Sequence, residues 1–132
     1  MVYCNKKTKN IDSVRILIQG FYNWKYSTVI SRGVESYIET PQTIGQTQKY
    51  IFCKNSSASY YVNNKLNAEY NYEIDYEVKI TNYLSDSSTI VILKDKKTGY
   101  VIDFYRVEIC NDSAVLYNPY NSISRINYFE RN

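Results

Sequence analysis

Residues 68–82 alternate apolar and polar positions with almost no interruption. Ala68, Tyr70, Tyr72, Ile74, Tyr76, Val78 and Ile80 fall on one side, and Glu69, Asn71, Glu73, Asp75, Glu77, Lys79 and Thr81 on the other. A period of two places alternate side chains on opposite faces of an extended strand, one face in a core and one in water. Wound as a helix, the same residues would scatter around the axis without an apolar stripe. The tyrosines of this segment are therefore expected inside. The acids are expected on a solvated face, where they discourage edge-to-edge pairing. At about 3.3 Å per residue the segment outruns an ordinary strand, which predicts a bend or bulge.

The pattern continues along the chain. Strands are predicted over 14–20, 24–32, 34–40, 48–54 and, shorter, 58–62. Phe21, Tyr22, Asn23, Trp24 and Tyr26 fall at the connection between the first two. Pro41 lacks an amide donor and stops the third, with a loop following through Gly45. Residues 89–94 and 100–109 read as a hairpin around Asp95, Lys96, Lys97, Thr98 and Gly99, a loop whose terminal Gly suits a type I turn closed by a bulge. Residues 114–117 and 122–129 complete the set as two edge-strand candidates. No window carries a capped helical stripe. Strands spaced by about 8–12 residues with Asn, Ser and Gly turns mean a sandwich or a barrel. The expected architecture is all-β: a single-domain antiparallel β-sandwich over 13–132, preceded by a polar N-terminal tail over 1–12.

Length and composition narrow this further. A chain of 132 residues makes one domain and buries enough surface for a core without staples. No run is apolar and long enough for a membrane-spanning helix, and no secretory signal is legible, so the expectation is a protein of the cytoplasm, one released by a non-classical route, or a mature form. The net charge of +3 is spread along the chain, which argues against a nucleic-acid partner. Three cysteines, Cys4, Cys53 and Cys110, cannot complete a disulfide framework. Cys53 and Cys110 lie in apolar runs and are expected buried, with a bridge between them open if their strands are neighbours. Asn, Lys, Ile and Tyr dominate the chain and share AT-rich codons, so base composition explains part of the sixteen tyrosines.

The chain has no histidine. That excludes Ser–His–Asp and Cys–His nucleophiles and histidine zinc sites. The four glycines form no phosphate loop. No cofactor or metal is implied. Carboxylate pairs remain as possible acid–base chemistry, with Glu69, Glu73, Asp75 and Glu77 on one strand face. Aromatic rings are the other resource, since a tyrosine offers a flat face and a hydroxyl. The candidate binding residues are Tyr22, Trp24, Tyr26, Tyr105, Tyr117 and Tyr120, each open to a core reading as well as to a surface one.

Two segments resemble small β-sandwich cytolysins and lectins, the group of actinoporins, aegerolysins and fungal fruit-body lectins. Tyr83-Leu-Ser-Asp-Ser-Ser-Thr-Ile-Val-Ile-Leu93, with the aromatic stretch after it, is similar to the actinoporin region where a Ser-Asp turn precedes an apolar strand. Thr43-Ile-Gly-Gln-Thr-Gln-Lys-Tyr-Ile-Phe-Cys53 resembles the aegerolysin strand that runs from a Gly turn into a Cys. The Trp-Asp-Cys-Pro-Trp run of aegerolysins and the amphipathic N-terminal helix of actinoporins are missing. The resemblance implies a non-enzymatic, toxin-related binding domain whose aromatic loops recognise a membrane lipid headgroup or a glycan. The alternative is a structural or protein-interaction module, self-assembling as a homo-oligomer or partner-binding, that pairs through the edge strands near the C-terminal region and takes no small ligand.

Overall fold

The computed structural model describes residues 10–31, 33–77, 88–117 and 123–131. Its strands are β1 (Gly20–Ser31), β2 (Val34–Glu39), β3 (Gln48–Phe52), β4 (Ser57–Val62), β5 (Lys65–Tyr76), β6 (Thr89–Asp95), β7 (Val101–Cys110), β8 (Ser113–Tyr117) and β9 (Ile123–Arg131). All pairings are antiparallel and run in sequence order from β3 to β9. β9 then pairs with β1 from Tyr22↔Arg131 to Ser31↔Ile123, closing an eight-stranded barrel. β2 extends the sheet beyond it. The expected sandwich is thus replaced by a barrel. Both architectures need the same inward–outward alternation, so period two cannot separate them; the β1–β9 ladder does.

The first predicted strand is a helix. In α1 (Ile11–Leu17), the side chain of Asn10 accepts hydrogen bonds from the Asp12 and Ser13 amides at the N-cap. Asp12 in the first turn and Arg15 in the last oppose the helix dipole ends favourably. Ile11, Val14 and Ile18 are all buried and project onto one face. The β-branched run disguised this stripe as a strand, and burial of that face overrode propensity. The helix starts inside the stretch expected as tail, and it packs against β5 and β7. A second short helix, α2 (Pro41–Ile44), stands where a loop was expected. Thr40 and Thr43 form a capping box, and Gly45 ends the helix in the left-handed region at φ 66°.

β1 runs straight through the aromatic stretch expected as a connection. A register shift between Trp24 and Tyr26 leaves Lys25 as the extra residue. Tyr22 and Trp24 point inward before this bulge, and Ser27 and Val29 after it. β5 carries the opening alternation as far as Tyr76, with a bulge at Asn67 opposite Tyr60 and Tyr61. Val78, Lys79, Ile80 and Thr81 lie outside the described residues. Tyr70 and Tyr72 face inward as expected, but Tyr76 is exposed. The acids do not form a simple wet face. Glu73 pairs with Lys94 of β6 at 2.6 Å, and Glu77 is fully buried in a two-pronged pair with Arg106 of β7. Ile90 and Ile92, opposite Asp75 and Glu73 on β6, are themselves buried, so this outer face is partly covered.

The hairpin from β6 to β7 has the anticipated form. Asp95 accepts from the Lys97 and Thr98 amides through its carboxylate and from Gly99 through its carbonyl. β8 and β9, expected as edges, are interior strands of the closed sheet, and the open edge belongs to β2. Cys110 is disulfide-bonded and Cys53 is a free thiol, so no bridge joins them. Cys53 directly follows β3 and Cys110 ends β7, and these two strands are not neighbours. No helix among the described residues is long and apolar enough to cross a membrane.

Candidate functional site: a tyrosine cup at the barrel mouth

Aromatic rings run along the barrel interior from one end to the other. Tyr22 meets Phe52 edge-on at 6.0 Å, and Phe52 meets Tyr72 at 5.2 Å. Phe52 stacks on Tyr50 at 5.4 Å, which in turn lies 4.7 Å from Tyr60 and 5.5 Å from Phe129. An eight-stranded barrel is just wide enough for side chains to fill it or for one small ligand. Here it does the first at the α1 end and leaves room for the second at the other.

At the α1 end both tyrosine hydroxyls are consumed, and Arg131 Nε is buried with no hydrogen-bond partner among the described residues. The Tyr22 hydroxyl donates to the Leu17 carbonyl at 2.9 Å, and the Tyr72 hydroxyl donates to the Cys53 carbonyl at 2.9 Å. The Arg131 guanidinium lies over the Tyr22 ring at 5.2 Å and donates to the Tyr22 hydroxyl and to Leu17. Gly20 lies beside this arginine at φ 143°, a backbone conformation that side chains with a Cβ rarely adopt.

The mouth is different. Gln48, Tyr50, Tyr60, Tyr70, Tyr105, Leu116, Asn127 and Phe129 enclose a cavity of about 180 Å³. Tyr50 and Tyr60 are register partners on β3 and β4, while Tyr70 and Tyr105 come from β5 and β7. The Tyr105 hydroxyl donates to Asp103 Oδ2 at 2.9 Å. The hydroxyls of Tyr50, Tyr60 and Tyr70 make no hydrogen bond to any described residue. Burial raises the phenol pKa of all four, well above the usual value for Tyr50, and the Asp103 carboxylate adds to the rise for Tyr105. They are neutral donors and acceptors at physiological pH. Asn127 is held in place from behind: Trp24 Nε1 donates to Ser27 Oγ at 2.8 Å, and Ser27 Oγ donates to Asn127 Oδ1 at 2.6 Å. Asn127 Nδ2 also donates to the Leu116 carbonyl at 3.3 Å.

Of the six residues singled out from sequence, five are described and are divided among three places. Tyr22 and Trp24 are buried in the barrel, so the turn does not present Trp24 outward. Tyr105 lines the cup. Tyr26 stacks on Tyr128 at 4.4 Å on the outer sheet face. Tyr117 lies on that same face, opposite Ile126 of β9. Tyr120 lies outside the described residues. Sequence reading missed Tyr50, Tyr60, Tyr70, Asp103 and Asn127. One signal was present: Tyr50, Tyr60 and Tyr70 recur every ten residues, the length of one strand and turn in a meander, which sets them side by side on successive strands. Among the described residues no group of three or more acidic or thiol side chains converges as a metal site.

No family model matches this chain, and no curated protein or solved structure matches it either. Function is therefore argued from the geometry alone.

Proposed function

We propose that this barrel is a non-enzymatic binding module whose tyrosine cup takes a single polar head, of the kind a glycan residue or a membrane lipid headgroup presents. One observation carries the reading: three hydroxyls with no partner among the described residues line a half-open cavity beside a carboxylate. Unpaired polar groups at a partly buried site favour a ligand that pairs them. The volume suits one ring or headgroup, below the roughly 300–1,000 Å³ of a typical small-molecule pocket. Aromatic walls add stacking area at low entropic cost. The non-enzymatic reading is supported by the acids: Glu73 and Glu77 are tied to Lys94 and Arg106 on the outer face, away from the cup.

Trp24 reports on the cup through Ser27 and Asn127, so its emission is the direct assay. Titration with a glycan panel and with liposomes is expected to give a saturable change with one class. That change should be lost in a Tyr60→Phe/Tyr70→Phe double variant. No emission change and no co-sedimentation would overturn the proposal. A partner-binding reading rests on a different observation, the edge of β2 that pairs with no other described strand, with Tyr37 and Ile38 exposed. Light scattering after size exclusion separates the two, because that reading requires a stable assembly and the cup does not.

A further inference from the structure

A larger recess lies further along β5, beyond Tyr70 of the cup. It measures about 460 Å³ and is bounded by Arg15 and Gln19 from α1 and its C-terminal side, Lys54 and Ser56 from the β3–β4 turn, and Tyr72, Glu73 and Ile74 from β5. That volume lies within the range of small-molecule sites. Its polar wall is organised. Arg15 Nη2 donates to the Ile74 carbonyl at 3.2 Å, which pins the guanidinium across the recess. Gln19 Nε2 donates to the Arg15 carbonyl at 3.3 Å. Asn55 accepts from the Ser57 amide and hydroxyl, which shapes the turn that offers Lys54 and Ser56. Ser56 is held at φ 66°, in the left-handed region.

The charges do not balance. Glu73 is matched by Lys94 at 2.6 Å. Among the described residues, the only carboxylate that pairs with Arg15 is the exposed Asp12, at 3.2 Å. The Lys54 ammonium and the Ser56 hydroxyl have no partner among the described residues. An uncompensated ammonium, a pinned guanidinium with N–H groups to spare and a free hydroxyl form a donor set for an anion.

We propose that this recess binds a small acidic metabolite through its phosphate or carboxylate group, with Arg15 and Lys54 as the charge contacts and Ser56 as a hydroxyl donor. The site is separate from the tyrosine cup and does not depend on it. It is tested by following backbone amide resonances during titration with inorganic pyrophosphate and, in a second arm, citrate. The expected result is saturable shifts confined to residues around 15–19, 54–56 and 72–74, with the tighter of the two probes indicating phosphate or carboxylate chemistry. Lys54→Glu, at an exposed turn, is expected to weaken binding by about tenfold or more, as loss of a charged hydrogen bond does. Arg15→Lys keeps the charge but loses the pinned geometry and is expected to weaken it less. The proposal is overturned if neither probe saturates at millimolar concentration, or if the shifts spread equally to Lys65, Lys96 and Lys97. An unchanged affinity in Lys54→Glu overturns it equally.

Discussion

The two ends of this barrel use the same residue type for opposite purposes. At the α1 end, Tyr22 and Tyr72 turn their hydroxyls onto backbone carbonyls and become structural struts. At the mouth, the hydroxyls of Tyr50, Tyr60 and Tyr70 make no hydrogen bond to any described residue. The rings serve one continuous aromatic column, so the difference lies wholly in where the hydroxyl points. A closed end must satisfy its polar atoms internally, whereas an open end can leave them for a ligand. Stability and recognition are thereby assigned to opposite ends of one core.

The strongest way to break this contrast is at the plug. Ile18→Ala is expected to cost about 2–5 kcal/mol, the usual range for emptying a packed aliphatic site, in urea denaturation. Ligand affinity at the mouth should survive in the folded fraction. Next in size is the pair Tyr22→Phe and Tyr72→Phe. Each removes one of two hydrogen bonds to a carbonyl, since Leu17 keeps Arg131 and Cys53 keeps the Ser56 amide, and is expected to cost about 1 kcal/mol. The same change at Tyr60 or Tyr70 should stay within about 0.5 kcal/mol. Equal costs at both ends would remove the distinction.

Alkaline titration sharpens it further. The four cup tyrosines have folded pKa values raised by burial, so their stabilising contribution is fully present below the unfolded phenol value of 10.0. It is lost as pH rises through the folded values. Ultraviolet absorbance should show these phenols ionising only together with unfolding, above about pH 10. The smallest effect belongs to Asp95, whose carboxyl is held below its usual range by the Thr98 and Lys97 amides. Its contribution is present above the unfolded value and disappears as pH falls through the lowered one. Asp95→Asn should therefore lower the melting temperature slightly at neutral pH and flatten its acid dependence.

Much of the fold was legible because alternation reports directly on which side chains share a face. The β6–β7 hairpin and the inward set of β5 follow from that alone. The errors share one cause: a local pattern does not say what lies across from it. Val14, Ile16 and Ile18 read as strand because only tertiary burial makes a helical face of Ile11, Val14 and Ile18. Glu77 read as solvated because its partner, Arg106, is 29 residues away. The cup was hidden for the same reason, since Tyr50, Tyr60, Tyr70 and Tyr105 are ordinary strand tyrosines until four strands are set side by side. Attention to clustered aromatics favoured Tyr22, Trp24 and Tyr26, which adjoin in sequence and separate in space.

The β1–β9 ladder has a consequence for how the protein is made. The Ser27–Asn127 contact spans 100 residues, while nearly every other strand pairing joins neighbours in sequence. A growing chain can pair β1 with β2 and β3 and zip β3 to β8 as successive hairpins, yet the other edge of β1 must wait until β9 has emerged. Closure of so long a loop is slow and comes late. During that interval Tyr22, Trp24 and Val29 are available to other chains. The seam where the barrel closes is thus also where its folding is most open to mispairing, and expression at lower temperature or lower chain density should raise the folded yield.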